Sequence, residues 1–159
     1  MKIAALHFDG MTALDAIGPL QVLSALPGAE VFPVATAPGP KRTDAGVVLL
    51  AEHPVAAVAR PDIILVPGGM NMRPVMADSA VIEWLTTAHA TTAWTTSVCT
   101  GALVHGAAGL LRGLRATTHW AARGALRDFG AEPVEERVVR DGKVITGAGV
   151  SAGIDMVLR

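Results

Sequence analysis

Short apolar runs alternate along this chain with stretches whose small and apolar residues recur at helical spacing. Residues 2–8 predict a first strand. Residues 15–26 predict a helix with Gly18-Pro19 in its first turn, where proline is tolerated because its missing N–H would have no partner. Residues 30–36 predict a second strand and 47–52 a short extra one. Residues 62–66 read as a strand apolar on both faces, running into Pro67-Gly68-Gly69. Residues 78–90 predict a helix with Asp78 as its N-cap, and 92–98 a strand. Residues 100–110 predict a helix of small residues. Residues 134–140 and 143–146 flank Asp141-Gly142, a hairpin turn signal. Ser151 caps a last helix that runs to Arg159. The stretch 37–43 reads as a plain surface connection. Strand and helix alternate through most of the chain, so the predicted class is α/β with a mainly parallel sheet.

Composition narrows this picture. A chain of 159 residues fits a single domain, 1–159, with a sizeable core. Hydrophobic residues make up 51%, and the mean hydropathy is +0.44. Every apolar run nevertheless breaks short of membrane-spanning length, and the N-terminal apolar stretch is too short for a secretory signal. The excess has two outlets, a parallel sheet buried on both faces or a subunit interface. A net charge of −1, spread along the chain, argues against a nucleic-acid surface in this domain. One cysteine cannot form an internal disulfide, which points to a reducing cytoplasm. The five histidines show no metal-ligand spacing and no glycine-rich phosphate loop is present, so no metal or cofactor is expected.

The chemistry concentrates around Cys99, the only cysteine. It lies between a predicted strand and a predicted helix, on a sharp turn of the kind where α/β enzymes hold a nucleophile. A thiolate there faces the unpaired N–H groups and positive end of a helix, which favours a reactive anion near neutral pH. The competing reading is a small buried hydrophobe. Gly68-Gly69 follows another strand. It lets backbone approach a ligand and, with the N–H of Thr100, could build an anion or oxyanion site; it equally suits a tight turn. Asp15 follows the first strand. It reads either as the N-cap of the helix or as a proton donor beside the thiol, with a pKa raised by burial or by the thiolate. His119 reads as a capping or packed histidine or as a site residue. Trp84, Trp94 and Trp120 read as core. Parallel sheets place sites beyond the carboxyl ends of their strands, where the three loops meet.

Taken in order, these motifs resemble the DJ-1/PfpI superfamily, most closely its branch containing isocyanide hydratases. The carriers are Leu14-Asp15-Ala16-Ile17-Gly18-Pro19, Asp62-Ile-Ile-Leu-Val-Pro-Gly68-Gly69 and Ser97-Val98-Cys99-Thr100-Gly101-Ala102. Ala107-Ala-Gly-Leu-Leu111, Arg115-Ala-Thr-Thr-His-Trp120 and Gly149-Val-Ser-Ala-Gly-Ile-Asp155 complete the set. The resemblance covers essentially the whole chain. It implies a flavodoxin-like three-layer sandwich, a homodimer, and Cys99 as nucleophile on a strained elbow. It further implies Asp15 as the acidic residue beside that cysteine, Gly69 and Thr100 as backbone donors around it, and the Thr100 side chain as a polar contact. The peptidase and glyoxalase branches often carry histidine directly after the cysteine; here that residue is Thr100. Hydratase relatives also continue past Asp155, so the last helix is expected to be truncated.

For the hydratase branch the implied chemistry is attack of Cys99 on an isocyanide carbon, protonation by Asp15, and hydrolysis to an N-substituted formamide. Two alternatives share the same motifs: a ligand-sensing domain like those of AraC-type transcription regulators, and a DJ-1-like redox sensor or glyoxalase.

Overall fold

The period-2 alternation of the buried strands decides the layering. In β1 (Lys2–Leu6), Ala4 and Leu6 point into one core, while Ile3 and Ala5 point into the opposite ones. A computed structural model describes residues 1–159. After β1 come α1 (Ala13–Leu23), β2 (Glu30–Ala35), β3 (Gly39–Arg42), β4 (Val48–Ala51) and β5 (His53–Pro54). A 3-10 turn (Val55–Val58), β6 (Ile63–Val66), α2 (Arg73–Met76), α3 (Ser79–His89), β7 (Trp94–Val98) and α4 (Gly101–Ala107) follow. The chain continues through β8 (Arg115–Ala116), a 3-10 segment (Trp120–Phe129), β9 (Glu132–Pro133), β10 (Val138–Asp141), β11 (Val144–Gly147) and α5 (Ala152–Val157). No helix is long and apolar enough to cross a membrane.

The main sheet runs β10-β11-β7-β6-β1-β2-β5, parallel throughout except for the antiparallel β10–β11 hairpin. Its parallel centre, β2-β1-β6-β7-β11, has the doubly wound order 2-1-3-4-5, with the switch point between β1 and β6. Residues from α3 and α4 cover the face of Leu6, Ile64 and Val66. The other face, with Ala5, Leu65 and Val98, packs against Leu20 of α1 and Met156 of α5.

Several local expectations are corrected. The stretch 37–43 is not a plain connection: β3 pairs antiparallel with β4, and the N–H of Gly10 donates to the carbonyl of Arg42 at 2.8 Å. Residues 134–137 lie outside the β10 ladder. Asp78 does cap α3, accepting from the N–H groups of Ala80 and Val81. Ser151 makes no side-chain cap; its hydroxyl accepts instead from Arg137, which also pairs with Asp155. Trp84 is core, donating to the carbonyl of Val58, whereas Trp120 is 74% exposed.

Two histidines are buried without partners. His105 of α4 has neither ring nitrogen hydrogen-bonded, and Nδ1 of His7 is also alone. Burial pushes His7 down to about 4 and, with the added effect of His89, His105 down to about 3. Below about pH 6.5 the unfolded chain therefore takes up protons that the native state refuses, and stability falls with pH. Asp15, raised from 3.8 to about 6, acts in the opposite sense over part of that window and offsets one histidine, not both. The thermal midpoint is expected to drop between pH 7 and pH 4. His105→Leu should make that drop shallower; equal drops in both proteins by circular dichroism would refute this account.

Candidate active site at the strand-to-helix elbow

Cys99 is the only non-glycine residue with positive φ, at 56°. L-residues avoid this region, so surrounding contacts have to impose it. Its N–H donates to the carbonyl of Gly147 at 2.9 Å, and its own carbonyl accepts from the Thr118 hydroxyl at 2.6 Å. Gly101, the first residue of α4, passes so close to the end of β6 that a Cβ would sit 2.2 Å from the carbonyl oxygen of Val66. A Cβ on Gly68 would lie 2.7 Å from the Thr100 nitrogen and 2.8 Å from Cβ of Cys99. Glycine is thus required on both sides of the elbow.

Asp15 arrives from α1 and is fully buried. It does not cap that helix. Thr12 holds the N-cap position, and Asp15 is the third helical residue, with Pro19 well inside the helix rather than in its first turn. The cap reading misplaced the N-cap by three residues. Oδ2 of Asp15 accepts from the N–H of Gly68 at 3.0 Å, while Oδ1 has no hydrogen-bond partner.

The structure brings together the five predicted site residues Asp15, Gly68, Gly69, Cys99 and Thr100. It gives the two glycine N–H groups other work than anion binding. That of Gly68 is taken by Asp15, and that of Gly69 donates to the Thr100 hydroxyl at 2.9 Å. The same hydroxyl donates to the carbonyl of Gly69 at 2.8 Å. The N–H and the hydroxyl of Thr100 both favour the thiolate form of Cys99. His119 takes its bland role, accepting from the N–H of Ala121 as a cap. Thr118 and Gly147, which hold the elbow, were not singled out from sequence, although Thr118 lies in the Thr-Thr-His-Trp motif.

Electrostatics correct the expected thiolate. Burial, then the negative charge of Asp15, pushes the Cys99 thiol up to about 11, against the lowering effect of Thr100. Burial likewise raises Asp15 to about 6, with Asp44 adding to the rise and the Gly68 N–H opposing it. At pH 7 the pair therefore rests as a thiol beside a carboxylate. The arrangement offers one transferable proton between two neighbouring buried groups. Clefts of about 400 Å³ and 410 Å³ open elsewhere, and neither is lined by Cys99 or Asp15.

A doubly wound α/β sheet with its cysteine on a positive-φ elbow, beside a buried carboxyl at the switch point, defines the class of this protein. The chain belongs to the DJ-1/PfpI family, whose family model matches residues 1–159. It is 42% identical over 158 residues to an isonitrile hydratase of Pseudomonas putida, covering 99% of this chain and 69% of that protein. A crystal structure of a ThiJ/PfpI family protein from Pseudomonas syringae superposes with a TM-score of 0.95 at 40% identity. That match spans 99% of this chain and 66% of the other. An HTH-type transcriptional regulator, CdhR of Pseudomonas aeruginosa, is 30% identical over 123 residues, which is 76% of this chain and 36% of the regulator.

Iodoacetamide labelling of Cys99 should rise steadily above pH 8 with no plateau near neutrality, because only the thiolate reacts. Asp15→Asn removes the charge that opposes thiolate formation, so its labelling curve should move to lower pH. A curve unmoved by the substitution would break the electrostatic link between the two groups.

Proposed function

We propose that this chain hydrates isocyanides, with Cys99 as nucleophile and Asp15 as the proton carrier. The observation that carries the reading is the buried Asp15–Cys99 pair with one carboxylate oxygen left unpartnered. The 42% identity to an isonitrile hydratase supports the substrate class. Cys99 keeps 7% exposure and Asp15 none, so the reacting atom must be narrow. A linear isocyanide carbon meets that demand.

In the first step the sulfur bonds to the isocyanide carbon while Asp15 takes the thiol proton. Asp15 then delivers that proton to the same carbon, leaving a thioimidate on Cys99. Attack of water on the carbon, with Asp15 accepting and returning a proton, forms a tetrahedral adduct. Its collapse breaks the carbon–sulfur bond, releases the N-substituted formamide and restores the thiol. The thiol's own proton serves the first step and a proton of the attacking water the second, and covalent catalysis divides the hydration into two easier steps. Thr100 serves by favouring the thiolate form of Cys99. Gly68 and Gly69 serve by holding Asp15 and Thr100 in place. The enzyme requires no cofactor on this reading, and it works in the reducing cytoplasm, where Cys99 stays a thiol.

Incubation with an alkyl isocyanide should yield the formamide by mass spectrometry, with many turnovers per protein. Cys99→Ser should nearly abolish turnover. Asp15→Asn should lower it by roughly 10²–10⁴-fold while the circular dichroism spectrum is retained. Near-normal hydration by a folded Asp15→Asn protein would remove Asp15 from the mechanism. Binding of isocyanide without turnover by the wild-type protein would favour the sensor reading, which the 30% identity to the regulator CdhR supports.

We also propose a homodimer. Leu14 and Ile17 of α1, Met70 after Gly69, Trp120 after the Thr118 clasp and Val150 before α5 are all exposed. They stand on segments that ring the elbow, and burying them against a second copy would shield the site from water. Sedimentation should show two subunits, and Ile17→Glu should yield a folded monomer. A wild-type monomer across the concentration range would refute it.

A further inference from the structure

The cleft of about 410 Å³ opens beyond the carboxyl ends of β1 and β2, the end at which parallel sheets bind ligands, and the elbow chemistry leaves it unused. His7, Lys41 and Asn71 bring donors to its wall. His7 directly follows β1, and its main-chain N–H donates to the carbonyl of Val34 at 2.7 Å. The residue is 4% exposed. Its Nδ1 is shut away without a partner, while Nε2, equally unpartnered, keeps contact with the cleft. Burial pushes the ring's pKa down to about 4, so the ring is neutral and carries a single N–H. An orphaned buried N–H is rarer in folded proteins than an orphaned buried acceptor. That places the proton on Nε2, as a donor to the cleft. Lys41, half-buried on β3, pairs with no carboxylate. Asn71 accepts from the N–H of Arg73 at 3.2 Å through Oδ1, which leaves its amide NH2 free.

Two carboxylates line the same cleft. Asp9 gives Oδ1 to the N–H of Arg42 at 2.8 Å and keeps Oδ2 free. Asp78 is fully engaged: Oδ1 accepts from the N–H of Ala80 at 3.0 Å and Oδ2 from the Thr36 hydroxyl at 2.6 Å. The cleft therefore offers three free donors and one free carboxylate oxygen, with two carboxylates set against one ammonium. A lone carboxylate would bind against the charges of Asp9 and Asp78. A lone amine would leave the three donors unpaired. Phe8, Pro74 and Val75 add an apolar wall, and the volume lies in the range of roughly 300–1,000 Å³ that small-molecule sites occupy. We propose that this cleft binds a small zwitterion, an amino acid with a short apolar side chain, holding its carboxylate on Lys41, Asn71 and His7 and its ammonium on Asp9. Cys99 and Asp15 do not line the cleft, so the proposal stands apart from the hydratase reading.

L-valine is the probe, titrated into protein labelled with ¹⁵N-histidine. The imidazole resonances of His7, assigned by their loss in His7→Phe, should move saturably, with the larger shift at Nε2. Isovalerate, which lacks the ammonium, and isobutylamine, which lacks the carboxylate, should each bind at least tenfold more weakly. Lys41→Met should weaken valine binding by roughly 10–100-fold, the loss of one charged hydrogen bond. Asp9→Asn should do the same, since the amide oxygen still accepts from Arg42 while the charge is gone. Circular dichroism checks that both variants are folded. Cys99→Ser should bind valine as the wild type does, which separates this cleft from the elbow. Resonances of His7 that stay unmoved by valine overturn the proposal. So does isovalerate binding as tightly as valine, or valine affinity unchanged in folded Lys41→Met and Asp9→Asn proteins.

Discussion

The site depends on the contact between the first turn of α4 and the carboxyl end of β6. Nothing larger than hydrogen fits at Gly101 or Gly68, where added carbons would meet backbone at 2.2 and 2.7 Å. This close approach turns the chain sharply after β7 and forces Cys99 into positive φ. Strain of that kind costs on the order of 1–3 kcal/mol and persists only where neighbours over-determine it. Here the neighbours are Gly147, from the adjacent strand, and the Thr118 hydroxyl. Both act on the main chain of Cys99, so the thiol is left without a structural task.

A sulfur so placed could have been activated by the helix end alone. Burial decides otherwise, because α4 spans only seven residues and the sulfur sits beside a fully buried carboxylate. A thiolate next to that carboxylate would place two like charges in a dry site. The lower-energy state holds one proton and one negative charge between them. Such a pair is poorly suited to standing as a free nucleophile. It suits a reaction in which the same carbon accepts first a sulfur and then a proton, since Asp15 can take up the thiol proton in the first step and return it in the second.

Much of this was legible in the sequence. The alternation of apolar runs gave the parallel sheet, since strands buried on both faces carry a strong signal, and the ordered motifs located Asp15, Cys99 and the two glycines. What escaped was set by tertiary contact. The helix start at Ala13 rather than Asp15 follows from Thr12 being tied to Asp44 and to Gly68. Nothing in the local sequence marks that tie. The β3–β4 hairpin carries Gly39-Pro40 in a strand, against propensity, because Arg42 is stitched to Asp9 and Gly10. The donor roles of Gly68 and Gly69 were misread for a related reason. Their spacing shows that backbone comes close, but not which acceptor claims each N–H.

The thiol and the carboxyl come from different elements, the end of β7 and α1, and the proposed reaction requires their separation to be held to a fraction of an ångström. One contact does much of this. A Cβ on Gly153 of α5 would lie 2.8 Å from Cγ of Pro19 and 2.8 Å from Cγ2 of Val98. The glycine therefore presses against the helix that carries Asp15 and against the residue that precedes Cys99. On the same helix Ile154 packs on Gly18, where a Cβ would meet it at 3.0 Å. Pro19, costly inside a helix, earns its place as a flat, rigid surface for that crossing. The Gly-Val-Ser-Ala-Gly-Ile-Asp segment contributes no group to the chemistry. It fixes the geometry in which a carboxyl on one element and a thiol on another can share a proton.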